Sequence, residues 1–123
     1  MDAQSEKLLA HIIRSTRVAA LATLRDESPQ VSMVAFIPAD DFSIFHIFVS
    51  RLAQHTVDMQ KDKHVGLLIA ESDDGRADPQ MLARVSIRGT AEIVQHGEPG
   101  YTPLKTQYLA RFPESEQLFG LAD

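Results

Sequence analysis

Apolar residues recur at two different periods along this 123-residue chain, and the switch between them marks its elements. Leu8, Leu9, Ile12 and Ile13 form an i, i+4 stripe in an otherwise polar opening, which predicts an amphipathic helix over Ala3 to Arg14. From Val18 the period shortens. VAALATL (Val18 to Leu24) is a short apolar run closed by the turn-like RDESPQ, and reads as a largely buried strand. VSMVAFI (Val31 to Ile37) follows, ended by Pro38 and the Asp40–Asp41 turn. SIFHIFV (Ser43 to Val49), rich in β-branched and aromatic residues, makes a third strand. The connections are short, so these three strands are expected to form an antiparallel meander.

A short helix fits Ala53 to Lys61, with Thr56 and Met59 facing inward and Asp58 and Lys61 outward. HVGLLIA (His64 to Ala70) reads as the fourth strand, and ESDDGRADPQ after it as a surface loop. ARVSIRGTAEIV (Ala83 to Val94) is a longer strand with Gly89 in its middle, which suggests a bulge or bend. Leu104, Tyr108 and Phe112 then recur every four residues, as on a helix, and Pro113 opens a last short helix through Leu121. With antiparallel strands dominant, the architecture implied is mainly β, a single-domain small barrel decorated with helices.

Composition narrows the chemistry. Apolar residues make up 44% and charged residues 24%, which suits a globular domain able to bury a core without staples. Cysteine is absent, which excludes a disulfide framework, a thiolate metal site and a Cys nucleophile. The opening residues lack the apolar stretch of a signal peptide, and no run of about 18 apolar residues exists to span a membrane, so cytoplasmic residence is expected. A net charge of −5, with Lys and Arg thinly spread, argues against nucleic-acid binding but leaves room for a small anionic ligand.

The stretch that could hold such a ligand is VSRLAQHTVDMQK, Val49 to Lys61. A strand ends in Ser50-Arg51 and a helix starts within a few residues. Unpaired helix amides, the positive end of the dipole, a guanidinium, an imidazole and two hydroxyls therefore gather in one turn, a combination that favours a phosphate monoester. Arg51 offers a planar fork, Ser50 and Thr56 neutral donors, and His55 one or two more. A plainer reading makes Ser50 a helix N-cap, with Arg51 and His55 ordinary surface residues.

The runs LATL, PQVSMVAFI, FVSRLAQHTVDMQKDKHVGLLIAE and DPQMLARVSIRGTAEIV occur in an order and at separations that resemble the pyridoxamine 5′-phosphate oxidase-like FMN-binding split barrels. They are most similar to the haem-utilisation (HugZ-type) branch, with its Ser-Arg-Leu-Ala-x-His-Thr turn. The likeness covers about Val18 to Val94. It implies a split β-barrel of antiparallel strands with an N-terminal helix and C-terminal helices, and a homodimer with FMN at the subunit interface. It implies that Ser32, Met33 and Val34 lay their backbone along the isoalloxazine ring. Val49, Ser50, Arg51, Gln54, His55 and Thr56 are implied to bind phosphate and ribityl, and Arg84 to reach the flavin of the partner subunit.

Several family features have no counterpart here. The chain ends at Asp123 without the family's C-terminal Arg–His substrate motif or its closing strands, and no histidine follows His96, where haem-degrading relatives carry one. Three readings remain: an FMN-dependent oxidoreductase acting on a small molecule, a non-catalytic flavin- or haem-binding protein, and an empty structural dimer. No catalytic acid or base is nominated. His11, His46, His55, His64 and His96 form no compact metal-ligand pattern, although one of them could ligate haem. Asp73, Asp74 and Asp78 lack the spacing of a calcium loop and read as a solvated turn. Phe42, Phe45 and Phe48 read as core or interface rather than a stacking platform.

Overall fold

The computed structural model describes residues 1–122, with side chains through Phe119. The chain opens with α1 (Ala3–Ser15), whose first turn is closed by Asp2 accepting from the Ser5 amide at 2.7 Å and whose buried stripe is Ile12 and Ile13. β1 (Val18–Arg25) and β2 (Ser28–Ala35) pair over their full length. Only Asp26 and Glu27 form the connection, both at positive φ (52° and 68°), the backbone of a tight two-residue hairpin whose twist matches the strands. β2 thus begins earlier than the hydrophobic run suggested, and Pro29 is tolerated because β2 is an edge strand.

The third expected strand is mostly not laddered. Only β4 (Phe45–His46) pairs, with β3 (Ile37–Pro38), in a separate two-stranded sheet, so the three-strand meander does not form. The physical reason lies in where the side chains go. Ile47 and Val49 pack on the main core, while Phe48 turns to a second cluster and stacks on Phe119 at 3.8 Å between ring centroids. Both faces are satisfied by packing without a ladder partner.

After α2 (Gln54–Lys61), β5 (His64–Ala70) runs antiparallel to β1 and β6 (Arg84–Thr90) antiparallel to β5, giving the order β2-β1-β5-β6. The register crosses Gly89 unbroken, Gly89 facing Val65, so the expected bulge is absent. β6 stops at Thr90 rather than Val94 because its partner ends at His64; the Ala91 amide makes one more bond, to the Lys63 carbonyl. Barrel closure is not seen among the described residues, since β2 and β6 are both edges.

One face of the sheet, carrying Ala19, Leu21, Val34 and Ile69, packs with Ile12, Ile13, Phe36 and Met59 into the main core. Each fully buried side chain of Ile or Phe size contributes about 1.5–3 kcal/mol. α3 (Tyr101–Arg111), a 3-10 turn at Pro113–Ser115 and α4 (Glu116–Ala122) carry the second cluster of Tyr108, Phe112 and Phe119. Arg17 pairs with Glu114, and Arg111 donates to the Thr16 carbonyl, which ties these helices to the α1–β1 joint. Asp123, at the end of the region where closing strands were expected to be missing, lies outside the described residues.

Candidate functional site

The Ser50–Thr56 turn is built from its own backbone. The Ser50 carbonyl accepts from the Ala53 amide (3.2 Å) and from the Thr56 hydroxyl (2.6 Å), while Ser50 Oγ accepts from the Leu52 amide (3.2 Å). The N-cap of α2 is therefore Ala53, which has no side-chain oxygen, and the capping role considered for Ser50 is not taken. The Thr56 and Val57 amides bond the Ala53 carbonyl, which leaves the leading amides, Gln54 and His55, at a helix start with no side-chain cap. Such an end attracts an anion through its N–H groups and the helix dipole. The turn is neither closed off nor rigid by burial: Arg51, Leu52 and Gln54 are exposed, Ser50 and His55 half-buried, and Val49 packs on the core behind them.

Two sequence-based roles need correction. Thr56 is buried and its hydroxyl proton is committed to the Ser50 carbonyl, so it braces the turn instead of offering a free donor. Asp58, expected to face outward, is 2% exposed. Its carboxylate accepts both Arg25 Nε and Arg25 Nη2 at 3.1 Å, and Gln54 Nε2 at 3.0 Å. The Arg25 hydrogen bonds, then that from Gln54, hold its pKa below the ordinary aspartate value, so it is ionised. A periodicity argument missed it because the helix is only eight residues long and its partner stands 33 positions away. The one available signal was Arg25 at the end of β1, a cation whose neighbours Asp26 and Glu27 gave it an ordinary local explanation.

The other implied positions lie on the sheet. Along β2, Val34 is in the core, Ser32 faces the same way, and Met33 faces out, 74% exposed. Ser32 Oγ is buried with no hydrogen-bond partner among the described residues. Met33 belongs to an open apolar face with Val18, Val31 and Leu68, floored by Ala20 and Ala70. β6 flanks this face: Arg84 is registered against Ala70 and donates to the Gln80 carbonyl (3.1 Å), and Arg88 is registered against Gly66. The Gln54–Asp58–Arg25 bonds tie the turn to the hairpin end of the sheet, whereas Arg84 stands at the opposite end, level with Val18. One chain does not bring Arg84 and the turn together.

Elsewhere, Asp73, Asp74 and Asp78 each accept a backbone amide of their own loop, as a solvated turn requires. Among the described residues no group of three or more His, Asp or Glu side chains could hold a metal ion, and no helix is long and apolar enough to cross a membrane. Phe42 and Phe45 pack on the main core and Phe48 in the second cluster.

The structure thus combines an antiparallel sheet with four helices, a bare helix start and an open apolar face. The sequence matches the pyridoxamine 5′-phosphate oxidase family over residues 5–122, and the chain belongs to that family. None of the curated proteins matches it. Among solved structures it is similar to HutZ, the heme storage protein from Vibrio cholerae, with a TM-score of 0.82 at 18% identity, over 100% of this chain and 83% of that one. It is also similar to a heme-binding protein from Mycobacterium smegmatis (TM-score 0.77, 23% identity), covering 95% of this chain but 47% of that one. A FAD-binding protein from Mesorhizobium loti matches with a TM-score of 0.67 at 18% identity, over 93% and 78% of the two chains. At these identities the likeness establishes the fold.

Proposed function

We propose that this protein is a homodimeric FMN-binding flavoprotein, an oxidoreductase acting on a small molecule. The observation that carries the reading is the α2 start, bare of any side-chain cap and flanked by Ser50 and Arg51. Ser50 Oγ accepts only from Leu52 in this turn, which leaves its proton for a phosphate oxygen, with the Gln54 and His55 amides and the Arg51 fork beside it. The residues fit the ring as well. Ser32 Oγ, buried and unsatisfied, is a polar atom on β2 that a flavin heteroatom could satisfy, and Met33 and Val34 continue the same strand. Arg84, remote from its own chain's turn, serves the flavin of the partner subunit. The apolar face around Met33 supplies the contact between two chains. When bound, FMN supplies hydride or single-electron chemistry; the chain holds its phosphate, orients its ring and screens one face from water.

Arg51→Ala tests the phosphate contact. Loss of a charge-assisted pair weakens FMN binding by roughly tenfold or more, measured by quenching of flavin fluorescence. A change below about threefold means that Arg51 is not a phosphate ligand.

A haem reading has its own support. The face around Met33 and Leu68 is broad and apolar, with Arg84 and Arg88 along one side, which suits a flat macrocycle bearing carboxylates. Two similar structures are of a heme storage and a heme-binding protein. A Soret band on adding haemin, with no FMN retained, favours haem over flavin.

A further inference from the structure

We propose that Asp58 is a positioning residue of the phosphate turn, holding Gln54 and Arg25 so that the bare start of α2 is presented at a fixed angle to the sheet. The proposal rests on the flavin reading above and adds to it a residue that touches no ligand.

α2 has eight residues and no cap of its own, and a helix that short is marginal without tertiary support. Thr56 and Met59 anchor its middle in the core. Its first residue, Gln54, is exposed, and the fixed contact the structure gives its side chain is the 3.0 Å bond to Asp58 Oδ1. The same oxygen accepts from Arg25 Nε, and Oδ2 from Arg25 Nη2, both at 3.1 Å. Arg25 is the last residue of β1, immediately before the two-residue hairpin turn. One buried carboxylate therefore links the rigid end of the sheet to the first turn of the helix that would hold the phosphate.

Packing alone does not explain an aspartate here. Taking a carboxylate out of water is unfavourable unless it is paired, and an apolar side chain of similar volume would fill the space without that cost. An apolar residue could not hold the Gln54 amide or receive both nitrogens of the Arg25 fork. The pairing also matters electrostatically. Asp58 stands one turn beyond Gln54, so an unneutralised carboxylate would repel a bound phosphate dianion, and Arg25 cancels that charge.

The experiment titrates FMN and riboflavin, which lacks the phosphate, against the full chain and against Asp58→Leu, Asp58→Asn and Arg25→Lys. Fluorescence quenching reports affinity, and circular dichroism reports folding. Asp58→Leu is expected to weaken FMN about tenfold while riboflavin changes less than about twofold. Asp58→Asn keeps an oxygen for Gln54 and falls between. Arg25→Lys keeps the charge but loses the fork, and serves if Asp58→Leu fails to fold; it too is expected to weaken FMN selectively. Equal losses for both flavins, or none, overturn the positioning role. If the unsubstituted protein shows no preference for FMN over riboflavin, the phosphate reading itself fails, which separates the two ideas.

Discussion

Met33→Glu tests the proposed dimer where the structure makes it most vulnerable. Met33 and Val31 are each 74% exposed, and Val18 and Leu68 are 45% and 43% exposed, on a sheet face otherwise floored by small residues. Fully burying a methionine side chain contributes about 1.5–3 kcal/mol, and about three-quarters of that remains to be gained here on association. Across a twofold interface every substitution acts twice, so losing Met33 removes roughly 2–4 kcal/mol from the dimer. That corresponds to a roughly 30- to 900-fold weaker dimer, before the added cost of bringing two carboxylates to the interface. Because Met33 touches solvent in the single chain, its replacement should leave the monomer's fold intact. Sedimentation velocity over a dilution series reads the dissociation constant, and far-ultraviolet circular dichroism checks the fold. A folded Met33→Glu protein that dimerises as tightly as the parent refutes the assignment of this face. A parent that is monomeric at high micromolar concentration refutes the dimer altogether.

Two more outcomes follow from the same geometry. Ala53→Asp places a carboxylate at the cap of α2, where φ −69° and ψ 142° already suit a capping residue, so the helix gains about 0.5–2 kcal/mol. The same carboxylate competes with phosphate, so the apo protein should melt higher and bind FMN more weakly; tighter FMN binding would contradict the site. His46 is half-buried, and desolvation holds its pKa below the ordinary 6.5. Its folded state sheds the proton more readily than the unfolded chain, so the stability it contributes is complete above about pH 6.5 and is lost as pH falls through the lower folded value. His46→Phe should therefore shrink the fall in Tm between about pH 7.5 and pH 5, and an unchanged fall would show that other groups carry it.

How much of this was legible beforehand depended on whether the deciding interactions were local. β5 could be read to the residue, His64 to Ala70, because its short apolar run is bounded by polar residues on both sides and it pairs on both edges, with β1 and β6. α1 was legible from its stripe: it starts at Ala3 as expected, behind the Asp2 cap, and runs one residue past Arg14 to Ser15. The segment around Phe48 looked like a strand because it is rich in β-branched and aromatic residues. Those side chains serve two cores instead of a ladder, and nothing local says that Phe48 will stack on a ring 71 positions away. Asp58 was invisible for the same reason. The phosphate turn was legible as a composition, Ser-Arg-x-x-x-His-Thr before a helix, yet the assignment of donors was not. Which hydroxyl is free and which is used, Ser50 or Thr56, depends on how the backbone turns over Ser50, and sequence does not show that.

The most direct test of the central claim is an absorbance spectrum of the purified protein after incubation with FMN and passage through gel filtration, with a parallel sample given haemin. The account predicts flavin bands that co-elute with a dimer in about one-to-one ratio with the chain and survive the column. Protein that emerges without flavin, and shows a Soret band in the haemin sample, would contradict it and leave the Ser50–Thr56 turn without its ligand.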